Sequence, residues 1–145
     1  MSKTIINEIN RLTALREQEQ DKGKVANQMK KFALLLMNDY DTTQADTRIN
    51  YYNSGYNLLT AKIQFWKCLK TGELPLSLKI KINELTDDWL HKGWEYFGQE
   101  EIKEDSKSAC DEIAFINEMY NRVKVIDDTK KKKTRRGGKN KKLNN

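Results

Sequence analysis

Apolar residues recur at alternating steps of three and four along most of this chain, which is the spacing of helices that bury one face. The clearest run lies between Asp41 and Gly72 and fills about three heptads, as in the seam of a coiled coil. Its members are Ala45, Ile49, Tyr52, Tyr56, Leu59, Ile63 and Trp66. Asp41, Thr42 and Thr43 offer N-caps, and Gly72 ends the run. Because rings occupy several seam positions, the pattern favours a bundle of several helices.

The segment from Lys3 to about Tyr40 carries two apolar stripes with a polar stretch between them. Ile5, Ile9 and Leu12 form the first stripe; the second consists of Val25, Met29, Phe32 and Leu36. The thirteen positions from Leu12 to Val25 are one short of two heptads, and Gly23 lies in this interval. We therefore predict one long helix that breaks or shifts phase near Gly23, or two helices that join there.

The third segment shows two competing periodicities. Alternate apolar residues from Leu74 to Ile82 resemble a strand, but a lone strand has no partner. Helical steps also connect Leu78, Ile82, Leu85 and Trp89. We favour a helix from about Leu76 to Phe97 that Pro75 introduces and Gly98 ends.

A fourth stripe runs from Asp105 to about Ile126, with Ser106 or Ser108 as the N-cap. It consists of Ala109, Ile113, Ile116, Tyr120 and Val123. The fold class predicted is therefore all-α: a three- or four-helix antiparallel bundle with coiled-coil character in residues 1–128, followed by a disordered tail in residues 129–145.

Charge divides the chain at the same point. The tail carries nine cations and no acid, whereas the remaining 18 cations and 21 acids give residues 1–128 a net charge of −3. The cationic residues are Lys130, Lys131, Lys132, Lys133, Arg135, Arg136, Lys139, Lys141 and Lys142. Such a segment should contact a polyanion, either nucleic acid or anionic lipid headgroups, or an acidic protein, and it also fits a nuclear-import signal. The alternative is a solubilising tail, or one that folds back on the acidic third and fourth helices.

The same charges suggest how the helices pack. Residues 1–37 have a net charge of +3, and residues 84–118 hold eleven acids. We expect the first helix to pack antiparallel against the last two, because these faces would attract each other.

Candidate chemistry is sparse, and we predict no catalytic residue, metal site or cofactor. His91 is the sole histidine, and we interpret it as a surface or packing residue. Asp39, Asp41, Thr43 and Asp46 have the spacing of a calcium loop without its glycine and final glutamate, so helix capping is the better interpretation. Glu95, Glu100, Glu101, Glu104 and Asp105 are expected to form a solvated acidic face. Nucleotide-binding and hydrolase motifs are absent from the sequence.

Protein interaction is the remaining candidate role of the helices. Trp89 and Trp94 lie in one short aromatic segment, which fills a core or, if one edge is exposed, forms a docking patch. The seam could be covered within the chain or by another subunit. The predicted interaction residues are Ile49, Tyr52, Tyr56, Leu59, Ile63, Trp66, Trp89 and Trp94.

Localisation is suggested by what the sequence lacks. The N-terminus has no apolar signal region, and no run reaches the ~18 apolar residues of a transmembrane helix. Cys68 and Cys110 are expected to be buried, reduced thiols. We expect a protein that is not secreted and that lies in the cytoplasm or nucleus or in a particle.

The residues Asp46, Thr47, Arg48, Tyr51 and Tyr52, taken with the C-terminal TRRGGKNKK, resemble small coiled-coil, basic-tailed proteins of large DNA viruses. Several proteins of that group are virion components, and many continue their heptads into a membrane helix. Here KCLKTGELP follows Phe65 and Trp66 instead. The resemblance covers about a third of the chain and implies a structural role, as a minor virion or capsid component in the particle or the host cell.

Overall fold

A computed structural model describes residues 2–98 and 101–129 of the chain. Within this part the protein is an all-α bundle of four helices with one minimal sheet, which confirms the predicted fold class. The helices are α1 (Ser2–Leu36), α2 (Thr43–Thr71), α3 (Leu76–Phe97) and α4 (Lys103–Arg122). The strands are β1 (Glu73–Pro75) and β2 (Lys124–Ile126). The nine cations of the predicted tail lie outside the described residues.

α2 is the central element of the bundle, since both α1 and α3 pack against it. The expectation that α1 packs on α3 and α4 is therefore wrong in its main contact. The reason is that α2 is apolar on two faces: buried Tyr51, Leu58 and Phe65 lie beside the predicted seam and supply a second packing surface. Among the described residues no salt bridge joins α1 to α4, and the Glu112 carboxylate of α4 makes only a small contribution to the raised pKa of Arg11.

Two of the predicted helix ends are confirmed. Gly72 ends α2 with φ of +88° and donates its N–H to the carbonyls of Cys68 and Leu69 at 3.0 and 3.1 Å. Gly98 follows α3 with φ of +99°. Left-handed backbone of this kind favours glycine and halts a helix within one residue.

A predicted capping interaction is present at the start of α2, but the caps predicted for α4 are not. Asp41 accepts a hydrogen bond from the backbone N–H of Thr43 at 3.1 Å, so it satisfies one free donor at the start of α2. α4 instead begins at Lys103 after Ile102, and Ser106 lies inside the helix. The predicted serine caps of α4 are therefore wrong.

The fourth helix is also shorter than predicted. It ends at Arg122, and β2 follows and pairs in parallel with β1, with Leu74 opposite Val125. Leu74 is fully buried in this arrangement, and the Tyr120 hydroxyl donates to the Pro75 carbonyl at 2.7 Å. These contacts favour extended backbone over a further helical turn.

The first helix is continuous. α1 passes through Gly23 without a break, because Gly23 is buried against α2, where an added Cβ would be in ordinary contact with the Cβ of Tyr52 at 3.7 Å. A helix that is buried against its neighbour in this way is held by packing, which offsets the low helix propensity of one glycine. The prediction of one long helix is therefore confirmed, whereas a break near Gly23 and the alternative of two helices are wrong.

The hydrophobic core lies at one end of the α1–α2 hairpin. Phe65, Leu74 and Ile82 are completely buried, and Ile116 and Tyr120 of α4 close the cluster around them. At the other end, residues 24–50 form what we call the hairpin tip, where only Ala26 and Ile49 are buried. The core therefore joins α2, α3 and α4. The hairpin tip consists only of parts of α1 and α2, and few of its side chains are buried.

The cysteine prediction is half right. Both thiols are free, but Cys110 is exposed and Cys68 is partly buried. The position of Cys110 on α4 places it outside the buried stripe of Ala109 and Ile116. Its exposure follows from that helical phase.

Candidate interaction surface

Most of the predicted interaction residues pack within the chain itself. Ile49 and Ile63 are buried, and Tyr52, Tyr56, Leu59, Trp66 and Trp89 are partly buried. Trp94 is 49 % exposed, the highest value in this set. The seam of α2 therefore serves mainly the fold, which was one of the two alternatives for it.

Specific contacts account for this burial of the seam. The Arg16 guanidinium of α1 lies over the Tyr56 ring at 5.6 Å and donates to the Thr60 hydroxyl at 3.3 Å. Further along α2, Trp66 stacks on Phe115 of α4 with centroids 5.6 Å apart. Two other helices of the same chain thus cover different parts of the seam.

The large exposed apolar surface lies instead on the second half of α1. Val25, Met29 and Phe32 are 49, 55 and 68 % exposed, and Leu35 and Leu36 are both 79 % exposed. We call these five residues the α1 stripe. Side chains of this size are usually buried, and a contiguous set of them at a surface is typical of an interaction site.

The small residues of α1 explain why the stripe faces outward. Gly23 and Ala26 are buried against α2, and Ala33 is partly buried on the same helical face. The salt bridge from Lys30 Nζ to Asp46 Oδ1, 2.7 Å long, fixes the same face to the start of α2. A face of small residues permits a close approach, and the large side chains then lie roughly a quarter to a third of a turn away. The helix therefore has two apolar faces, and α2 occupies only the smaller one.

Sequence reasoning identified this stripe as apolar but expected it to be buried. The signal that separates the two faces is the row Gly23, Ala26, Lys30 and Ala33, which also steps by three and four. Two parallel rows on one helix compete for a single partner. The row of small residues packs against α2, and the row of large apolar side chains is exposed.

The other candidate sites do not assemble into catalytic chemistry in the described residues. His91 is 62 % exposed at its side chain, lies 3.4 Å from the Glu95 carboxylate and stacks near Trp94. No group of three or more potential metal ligands occurs in the described part of the chain. Of the predicted acidic face, Glu95, Glu101 and Glu104 are exposed and Asp105 is partly buried, whereas Glu100 lies outside the described residues.

The calcium-like spacing is explained by hydrogen bonds at the start of α2. Asp46 accepts from Lys30 and from the Thr42 hydroxyl, and these bonds lower its carboxyl pKa. Bonds from the side chain and backbone of Thr43 likewise lower the pKa of Asp41. Both carboxylates are thus committed to the hairpin turn.

A groove between the helices contains one unsatisfied carboxylate. It has a volume of about 440 Å³ and is lined by residues of α1, α2, α3 and α4, among them Glu19, Tyr51, Lys62 and Trp89. Burial raises the pKa of Glu19, and its buried Oε1 has no hydrogen-bond partner. Burial also raises the pKa of Tyr51 to about 12. Gly55 of α2 lines the groove next to this carboxylate, and a Cβ added at Gly55 would lie 2.6 Å from Glu19 Oε1.

Comparisons with known proteins add no assignment: no protein family, no curated protein and no solved structure matches this chain. Among the described residues, no helix has both the length and the apolar character needed to cross a membrane.

Proposed function

We propose that this chain is a non-enzymatic assembly protein that binds a protein partner through the α1 stripe. The observation that carries the proposal is the exposure of five large apolar side chains on one helix while small residues of that helix face α2. Leaving such side chains in water forfeits about 1.5–3 kcal/mol for each one that a partner would bury fully. The resemblance to basic-tailed virion proteins supports a minor structural component of a virus particle as the setting.

The remaining helical surface is consistent with a scaffold that presents this stripe. α1 is 35 residues long and is anchored by Leu12, which is 1 % exposed. The anchored half holds the helix on the body, and the other half carries the stripe to the hairpin tip. A rigid helix of this kind presents its apolar residues at fixed spacing.

The test compares two single substitutions in the full chain within the cells that naturally produce it. Phe32→Glu places a charge in the stripe, whereas Leu34→Glu places one on α1 at a residue that is 39 % exposed and lies nearly opposite Phe32 around the helix. We expect Phe32→Glu to remove the protein from large sedimenting assemblies and Leu34→Glu to leave it there. Equal sedimentation of both variants and the wild type would overturn the proposal.

The second candidate is a nucleic-acid-binding accessory protein, favoured by the nine cations of residues 129–145 beside a body of net charge −3. If the tail neutralises most of nine phosphates, the logarithm of affinity should fall with the logarithm of salt concentration with a slope of up to about −8. Replacing all nine cations by glutamine in the full chain should remove binding to duplex DNA and flatten that slope. Binding that survives the replacement would exclude the tail as the contact, and loss of assembly together with DNA binding would favour this candidate over the first.

A further inference from the structure

We infer that the partner of the α1 stripe is a second copy of this chain, whose α1 packs antiparallel to the first about a twofold axis between residues 30 and 31. This inference rests on the proposed function, because it names the occupant of the same surface. It would make the hairpin tips of two molecules into a joint four-helix arrangement.

Four of the five stripe residues form pairs that are symmetric about that axis, whereas Leu35 lies at the edge of the contact. Val25 and Leu36 are equally distant in sequence from the midpoint, and so are Met29 and Phe32. In an antiparallel pair, Val25 therefore faces the second copy's Leu36, and Met29 faces its Phe32. Antiparallel seams place the two heptad positions opposite each other in this way, and a twofold interface requires the same patch on both molecules.

Charge at the two ends of the stripe selects the antiparallel direction. Lys22 and Asp39 are also equally distant from the midpoint, one before the stripe and one in the turn after it. Both are exposed, and within the described residues neither forms a salt bridge. An antiparallel pair brings each Lys22 beside the other copy's Asp39, whereas a parallel pair would bring like charges together.

The position of α2 leaves room for this second copy. α2 lies against Gly23, Ala26 and Ala33, a face that is roughly 100° around α1 from Met29 and Leu36. The axis lies in the hairpin tip, so the two bundle bodies extend away from each other in opposite directions. The core cluster around Phe65 takes no part in the contact.

The extent of the stripe predicts a weak dimer. About three helical turns from each molecule bury less than the ~1,200 Å² of a standard stable interface. The dissociation constant should therefore lie in the micromolar range, and the dimer should form and dissociate with concentration.

Sedimentation equilibrium of the purified full chain tests this, over concentrations from about 1 μM to about 1 mM that bracket the expected affinity. We expect the wild type and Leu34→Glu to shift from monomer to dimer and Phe32→Glu to remain a monomer. Circular dichroism at each step checks that every variant is as helical as the wild type. A wild type that stays monomeric throughout would overturn the inference but would leave the stripe open to a different protein.

Charge reversal tests the antiparallel register. Lys22→Glu and Asp39→Lys should each weaken the dimer about threefold to tenfold, because each change creates two like-charge pairs. The double variant restores both pairs with opposite polarity and should recover the wild-type dissociation constant. Additive weakening in the double variant would rule out this register.

A lipid surface is the competing occupant of an exposed apolar helix face. Vesicles of phosphatidylserine and phosphatidylcholine provide the comparison. We expect no cosedimentation that depends on Phe32. A chain that stays monomeric and binds these vesicles in a Phe32-dependent way would assign the stripe to membrane association instead.

Discussion

Glu19 of α1 is an acidic residue that the packing of the helices partly buries. Its Oε1 is buried without a hydrogen-bond partner beside Gly55, and burial raises the pKa of its carboxyl. Folding therefore shifts this carboxyl toward its protonated form relative to the unfolded chain. The stability that depends on that proton is present below the ordinary pKa of 4.5 and is lost as the pH rises through the higher pKa of the folded protein.

We predict that Glu19→Gln raises the melting temperature at pH 7, since the amide carries no charge to desolvate. The gain should be about 1 kcal/mol for a partly exposed carboxylate, or roughly 4 °C at this chain length. Thermal unfolding followed by circular dichroism from pH 4 to pH 8 measures it, and the difference from wild type should shrink toward the acid end. Glu17→Gln removes the same charge from an exposed position of α1 and is the matched control. If the difference in melting temperature between Glu19→Gln and the wild type were the same at every pH, the effect would come from the packing of the amide and not from the charge of Glu19.

At the scale of single elements, two glycines have different roles, one inside α1 and the other directly after α2. Gly72 ends α2 with φ of +88°, and an added Cβ there would meet nothing within 4 Å. Gly23 lies inside α1, where an added Cβ would make ordinary contacts of 3.7 Å with Tyr52 and 3.9 Å with Asn53. The cost of a methyl group is therefore conformational at the first position and absent at the second.

We predict that Gly72→Ala lowers the free energy of unfolding by about 1 kcal/mol, because left-handed backbone is unfavourable for alanine. Gly23→Ala should raise it by about 0.5–1 kcal/mol through helix propensity. Urea titration of the two variants and the wild type provides the comparison. A loss of stability in Gly23→Ala would show that α1 and α2 approach more closely than their contacts indicate.

These elements also show how far sequence patterns reach. The bounds of α2 and α3 follow from the apolar rhythm together with Gly72 and Gly98, because a left-handed glycine is a local signal. The end of α4 does not, since Val125 and Ile126 continue an apolar pattern and become extended only by pairing with Leu74 and Pro75, far away in sequence. Local periodicity cannot indicate which distant segment will supply a partner.

The candidate interaction surface could also be predicted only in part from the sequence. The apolar residues of the α1 stripe are evident from the sequence, but their exposure depends on which face of α1 meets α2. In the structure the row that contains buried Gly23 and Ala26 faces α2, which could be anticipated only by comparing two rows on one helix. The seam of α2 was apparent from its regular spacing, but the buried residues Tyr51, Leu58 and Phe65 lie beside it, and the spacing alone did not indicate that α2 packs on two faces.

At the scale of the whole molecule, stability and interaction are separated along the hairpin. Residues 51–65 include seven buried positions, whereas residues 24–50 include Ala26 and Ile49 alone. Local opening requires less free energy where fewer apolar contacts are lost. The hairpin tip should therefore open more readily than the body.

Amide hydrogen exchange of the full chain tests this division, with peptides from residues 24–50 compared with peptides around Phe65 and Ile116. At low micromolar concentration we expect the hairpin tip to exchange about tenfold to a thousandfold faster, which corresponds to an opening free energy that is lower by about 1.4–4 kcal/mol. At high concentration the wild-type tip should become more protected because a second copy covers the α1 stripe, whereas the tip of Phe32→Glu should exchange at the same rate throughout. Uniform protection across the two regions at low concentration would contradict the separation of body and tip, and equal slowing in the variant would show that crowding, and not pairing through Phe32, protects the helix.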